Sequence, residues 1–267
     1  MGQSSDPEID LLAYVKKSLE ESGYPLEMRV AAAFRSQGFI TDSARYYVEH
    51  DGKTLREIDV VAQGSGRNSP SPHKPWLYFA FVIECKAGRD KPWVAFLGDD
   101  RFARDEDVFD SIPHEFLSDT NEYGDPNNAF ASSDLRGLHA TKLLYSIEPY
   151  AYSIAVPGGQ NDGAKAAAYN AVRQVSAGVD GLARDFAAAV TRPQLRIFVP
   201  IVVTAAPLFT CRLDGRGELQ LARADRVLLV ARLRPAAELT SVWIVQDKSL
   251  GDLVADARQT VEKLYVA

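Results

Sequence analysis

The sequence predicts an α/β protein built as one elaborated domain, and three observations carry that expectation. "WLYFAFVIECKAG" (76–88) and "QLRIFVPIVVTAA" (194–206) are nearly continuous apolar runs of strand length, the pattern of strands covered on both faces. Around them stand segments with helical periodicity, such as "PEIDLLAYVKKSLEESG" and the alanine-rich "GAKAAAYNAVRQVSAGVDGLARDFAAAV". The 267 residues show no internal repeat and no second composition regime; 46% hydrophobic and 25% charged residues suit a globular chain with a sizeable core.

Each element follows in order. Ile9, Leu12, Val15 and Leu19 recur at helical spacing, and Gly23 is a plausible stop. A second helix starts at Pro25, a residue favoured in the first turn, and runs to about Gln37 before Gly38. "SARYYVEHDGKTLREIDVVAQG" reads as two strands joined at the Asp51-Gly52 turn. The Gly, Ser and Pro of "GSGRNSPSPHKP" make a loop before the long central strand. Residues 89–162 read as an insertion on the surface of the domain. Within it ten acids fall between Asp99 and Asp125, against only Arg101 and Arg104. The alanine-rich helix, with a possible break near Gly178, leads into the second buried strand. The extension from 206 to 267 then supplies shorter strands at "LFTCRL", "ELQLA", "DRVLLVARL" and "SVWIVQD" and an amphipathic helix, "LGDLVADARQTVEKLYV".

Several classes are disfavoured at once. No apolar run approaches the eighteen or so residues of a membrane span. "MGQSSDPEID" has neither a basic region nor an apolar signal core, and Asp6 stands where myristoylation needs Ser or Thr. Cys85 and Cys211 form no metal spacing, so two reduced thiols in a cytoplasmic protein are expected. A net charge of −6 argues against broad nonspecific coating of nucleic acid but leaves room for a local basic cleft. His50, His73, His114 and His139 lack ligand spacing, "GSGR" (64–67) is no phosphate loop, and Trp76, Trp93 and Trp243 read as core residues.

The chemistry concentrates at the end of the central strand. Glu84 and Lys86 flank Cys85 and share a face, about 6.7 Å apart along the strand. Asp59 lies in "LREIDVVAQG", with Ile58 and Val60 expected on one face and Asp59 with Val61 on the other. Antiparallel pairing across the loop sets Asp59 opposite roughly Phe81 to Glu84. Two carboxylates converging beside an ammonium either share a proton or hold a cation. Mg²⁺ fits, being a hard ion that takes oxygen ligands and often uses one or two carboxylates plus phosphate and water. Glu27 falls at i, i+3, i+4 and i+7 with Val30, Ala31 and Phe34, beside the apolar face of its helix. It is either a third acid of this group or a first-turn acid that complements the helix dipole.

Glu27 in "PLEMRVAAAFRSQGF", Asp59 in "REIDVVA", and Glu84 and Lys86 in "FVIECKAG" follow at spacings of 32 and 25 residues. In this the chain resembles the PD-(D/E)XK nuclease superfamily, and most closely the Mrr-like restriction endonucleases and Holliday-junction resolvases. The resemblance covers about residues 23–88 and resumes with "AYNAVRQVSAGV" and "RIFVPIVVT", giving a core of about 23–88 and 163–205. It implies a restriction-endonuclease-like three-layer α-β-α core with a mixed sheet in αβββαβ order. Ile58 replaces the superfamily's proline, as is usual in the Mrr-like branch, while the long stretch after Lys86 departs from these relatives. The implied activity is Mg²⁺-dependent hydrolysis of DNA phosphodiesters, with RNA not excluded and Mn²⁺ able to substitute, in restriction or anti-phage defence. Asp59 and Glu84 would hold the metal, with Glu27 direct or through water and the Cys85 backbone carbonyl adding a ligand. Lys86 would orient the attacking water or stabilise charge on phosphorus. Gln174 matches a polar position that points to the site in some relatives; a solvated glutamine reads equally well. The alternative reading is a nuclease-fold subunit that binds nucleic acid or a protein partner, as a homodimer or with a regulatory or targeting protein, and cleaves only in a complex or not at all.

Overall fold

The computed structural model describes residues 7–49, 52–65, 76–98, 114–117, 150–158, 162–187, 194–233 and 239–266. Two helices open the chain, α1 (Pro7–Glu21) and α2 (Tyr24–Ser36). Three strands follow: β1 (Ile40–Val48), β2 (Leu55–Ser65) and β3 (Trp76–Lys86). β4 (Trp93–Leu97), β5 (His114–Leu117) and β6 (Ala151–Ala155) precede α3 (Asp162–Ala187) and β7 (Gln194–Thr204). The chain finishes with β8 (Leu208–Leu213), β9 (Leu219–Arg223), β10 (Arg226–Ala231), β11 (Thr240–Gln246), a 3-10 turn and α4 (Leu250–Val266).

All the described strands join one mixed sheet in the order β1-β2-β3-β7-β11-β10-β6-β4-β8-β9, with β5 added antiparallel along β7. β3 lies between antiparallel β2 and parallel β7, so its backbone is paired on both sides and residues 79–83 are wholly buried. That is why its sequence is apolar without alternation. One face of the sheet packs against α2 and α4 through Val60, Phe79, Phe81, Ile83, Val199 and Ile201. The other packs against α3 through Val61, Ala80, Val82, Phe198 and Val202.

α2 ends as its sequence prescribes. Gly38 takes φ +82, its N–H reaches the Arg35 carbonyl, and the Phe39 N–H reaches that of Phe34, which closes a Schellman cap. Phe39 then stacks edge-on against Phe34 at 5.4 Å, seating the start of β1 on the core.

Three expectations are corrected. The alanine-rich helix is unbroken at Gly178; the glycine is there because a Cβ would stand 3.0 Å from Ile58 Cγ1, so it lets α3 lie close to the sheet. Gly181 is tighter still, with a Cβ placed 2.6 Å from that of Tyr47. Residues 89–162 are more than surface decoration, because β4 and β6 are integral strands that link β8 to β10. Most of the acid-rich stretch 99–125 lies outside the described residues. Finally, Ile58 and Val60 do not share a face: Ile58 packs on the α3 side and Val60 on the α2 side. The helix α1 forms as expected, yet its Leu11, Leu12, Tyr14, Val15 and Leu19 are all 45–70% exposed. Among the described residues no helix is long and apolar enough to cross a membrane.

Candidate active site

The broken alternation in β2 creates the site. β1 and β2 pair in constant register from Ile40–Gln63 to Val48–Leu55, but the Ala44–Asp59 step is unpaired and Ala44 takes φ +57. A non-glycine residue in the left-handed region marks a local irregularity of the strand, and such breaks re-aim a side chain. On the other side, the β2–β3 ladder ends at Val60–Ile83. Asp59 is therefore the first residue past the point where the two strands part. Its carboxylate bridges the gap: the Cys85 N–H donates to Asp59 Oδ2 at 2.6 Å. β3 itself stays in register with β7 as far as Lys86–Thr204, so Glu84, Cys85 and Lys86 are held firmly from one side while open on the other.

Glu84 is only 5% exposed and faces α3. The Lys86 Nζ donates to Glu84 Oε1 at 2.5 Å and to Gln174 Oε1 on α3 at 3.2 Å. The close approach of α3 at Gly178, one turn beyond Gln174, makes the second contact possible. Glu27 reaches the same region from the first turn of α2, its side chain folded back over Gly23, where a Cβ would meet Glu27 Oε1 at 3.0 Å. It is therefore a first-turn acid that also lies within electrostatic reach of Asp59.

The charges act on one another. Burial, with Asp59 beside it, pushes the Glu84 carboxyl up to about 7 against the opposing pull of Lys86. Burial also raises Asp59, although the Cys85 N–H and Lys86 pull it down. Glu27 is raised by burial, then by Asp59 and Glu57. The Cys85 thiol is driven far up by burial and by the surrounding acids, which makes it an inert core group here. Asp59 thus meets the Cys85 N–H and Lys86 joins Glu84 to Gln174, while Glu27 is linked to them electrostatically, through Asp59 and Lys86.

Sequence reasoning missed Glu57. It stands on β2 directly across from Tyr46 of β1, accepts the Tyr46 hydroxyl, and acts electrostatically on both Glu27 and Asp59. Its signal was the Glu57-x-Asp59 spacing; Glu57 itself stays exposed.

Oxygen donors dominate the group, with more negative charge than Lys86 can balance, and that donor chemistry fits a hard divalent ion. As the side chains stand, Glu84 is committed to Lys86 and Asp59 to Cys85. Among the described residues no group of three or more His, Cys, Asp or Glu side chains forms a ready-made metal cage. Compared with protein-family models, with curated proteins and with solved structures, the chain shows no match.

Proposed function

We propose that the chain is a Mg²⁺-dependent nuclease that hydrolyses DNA phosphodiesters, with a PD-(D/E)XK site on a restriction-endonuclease-like three-layer core of α2, β1, β2, β3, α3 and β7. One observation carries the reading: Asp59 grips the Cys85 N–H at the parting of β2 and β3, while Lys86 bridges Glu84 to Gln174. A binding role alone gives no reason to gather mutually repelling acids around one lysine. Asp59 and Glu84, joined by Glu27 and the Cys85 carbonyl, are the groups that would hold Mg²⁺ or Mn²⁺. The bound ion would neutralise the scissile phosphate and lower the pKa of a water.

The chain's own residues do the rest. Burial pushes the Glu84 carboxyl up to about 7, so it would give up a proton where a cation bound. Lys86, bonded to Glu84 and Gln174, would face the substrate with its direction set by Gln174. Its ammonium then orients the nucleophile or meets the charge that develops on phosphorus. Two free, buried cysteines support work in the cytoplasm, and restriction or anti-phage defence suits such an activity. The test is plasmid incubated with Mg²⁺ or with EDTA, using wild type and Lys86→Ala in parallel. Cutting by wild type with Mg²⁺ alone is expected; cutting by Lys86→Ala at the wild-type rate refutes the assignment.

The exposed apolar side chains of α1 favour a second reading, in which the nuclease acts within a complex. Gel filtration with and without nucleic acid separates a self-sufficient monomer from an assembly.

A further inference from the structure

We propose that Tyr46, with Tyr24 and Met28, forms a platform on which an unpaired nucleobase stacks beside the carboxylate group, so that the preferred substrate is DNA with a single-stranded segment. This rests on the nuclease reading and names its substrate class. On α2, Tyr24, Glu27 and Met28 stand at i, i+3 and i+4 and so share one stretch of helix surface. Glu27 belongs to the site, whereas Tyr24 and Met28 beside it are 60% and 69% exposed. Tyr46 approaches from β1. Its neighbour Tyr47 is buried on the α3 side under Gly181, so alternation turns Tyr46 to the α2 side, where it is 56% exposed. Its hydroxyl is tied to Glu57, its partner across the β1–β2 pair. Tyr24 lies close enough to act electrostatically on Tyr46.

Tyr24, Met28 and Tyr46 are large, mostly exposed side chains on the two elements beside the charged site. Glu27, Glu57, Asp59 and Glu84 outnumber Lys86, so phosphate attraction is a poor source of grip here. Stacking needs no charge, and every base offers a π-face. Bases inside a duplex are already stacked on their neighbours. An unpaired base is free to use the platform.

The experiment measures binding of a short labelled DNA single strand and of the same sequence as a blunt duplex, without divalent metal, by fluorescence anisotropy. Wild type should prefer the single strand. Tyr46→Ala should lose that preference, with single-strand affinity falling roughly five- to a hundred-fold, the range that loss of one stacked base implies. Tyr46→Phe, which keeps the ring, should retain the preference. The loss should be similar at about 50 and about 200 mM salt, because stacking releases no counterions. Equal single-strand binding by Tyr46→Ala and wild type overturns the platform, as does equal weakening on single strand and duplex. Either result leaves Mg²⁺-dependent, Lys86-dependent cutting of plasmid intact. Failure of that cutting is what would sink the nuclease reading itself.

Discussion

Replacing Glu84 with glutamine should make the protein more stable at neutral and alkaline pH. Glu84 is held at 5% exposure beside Asp59, and its pKa moves from an ordinary 4.5 to about 7 despite the Lys86 ammonium. The folded state therefore prefers the protonated carboxyl. Between pH 4.5 and 7 it binds a proton that the unfolded chain has released, so this group's contribution is complete at low pH and lost as pH rises through 7. At roughly 1.4 kcal/mol per pH unit, the displacement corresponds to about 3 kcal/mol above pH 7. Lys86 loses an ionic partner in Glu84→Gln, but it is partly exposed and keeps Gln174, so a net gain of about 2 kcal/mol is expected. For a chain of this size that raises the melting temperature by roughly 4–8 °C. Denaturant unfolding of wild type and Glu84→Gln at pH 5 and pH 8 measures it. The difference should be small at pH 5 and favour glutamine at pH 8. A variant less stable than wild type at pH 8 would mean that the ion pair with Lys86 outweighs the burial of charge, and the reasoning about the cluster would be wrong.

Other outcomes follow from the same geometry. Mg²⁺ should stabilise wild type, by about 2.7 kcal/mol at a hundred times its Kd, and Asp59→Asn should lose most of that gain in a thermal-shift titration. Gln174→Ala removes one of the two contacts of Lys86 and should lower the cleavage rate several-fold with an unchanged melting temperature; this is read from initial rates on plasmid. Gly181→Ala must displace Tyr47 from a 2.6 Å approach and should cost about 1–3 kcal/mol in urea unfolding, where a neutral result would show that α3 can back away from the sheet.

What could be read from the sequence divides along physical lines. The central strand, the hairpin register and the ends of α2 were legible because each is governed by local rules: continuous apolarity, a Gly-containing turn and a C-terminal glycine. The convergence of Asp59 with Glu84 was legible for the same reason, since counting from the loop fixes the register. The turn of Asp59 towards Cys85 was not, because the break opposite it falls at Ala44, a residue that gives no sign of a positive φ. Gly178 was misread as a helix breaker because a glycine needed for close approach looks the same in sequence as one that ends a helix. β4 and β6 were hidden by length. Five residues each, in a stretch rich in acids, they pair with each other and with β8 and β10, which lie far away in sequence. Glu57 stood out in no motif, because its tie to Tyr46 exists only once β1 and β2 are in register.

The placement of the acids explains why this site sits where it does. Within a fully paired stretch of sheet, a carboxylate pointing inward would have no donor, since every N–H is already used by a neighbouring strand. Where β2 leaves β3, the Cys85 N–H loses its strand partner, and Asp59 restores the bond with a charged acceptor. The parting of the strands thus creates both the need for a carboxylate and the space for others around it. Glu84 and Lys86 stay fixed because β3 remains paired with β7 past that point, and Ala205 still donates to the Lys86 carbonyl at 2.9 Å. One side of the fork is paired and the other is open, so Glu84 and Lys86 are held by strand pairing while the proposed substrate would enter from the gap. If the strands were paired through Asp59, the same four residues would be present in the sequence, and the site would not exist.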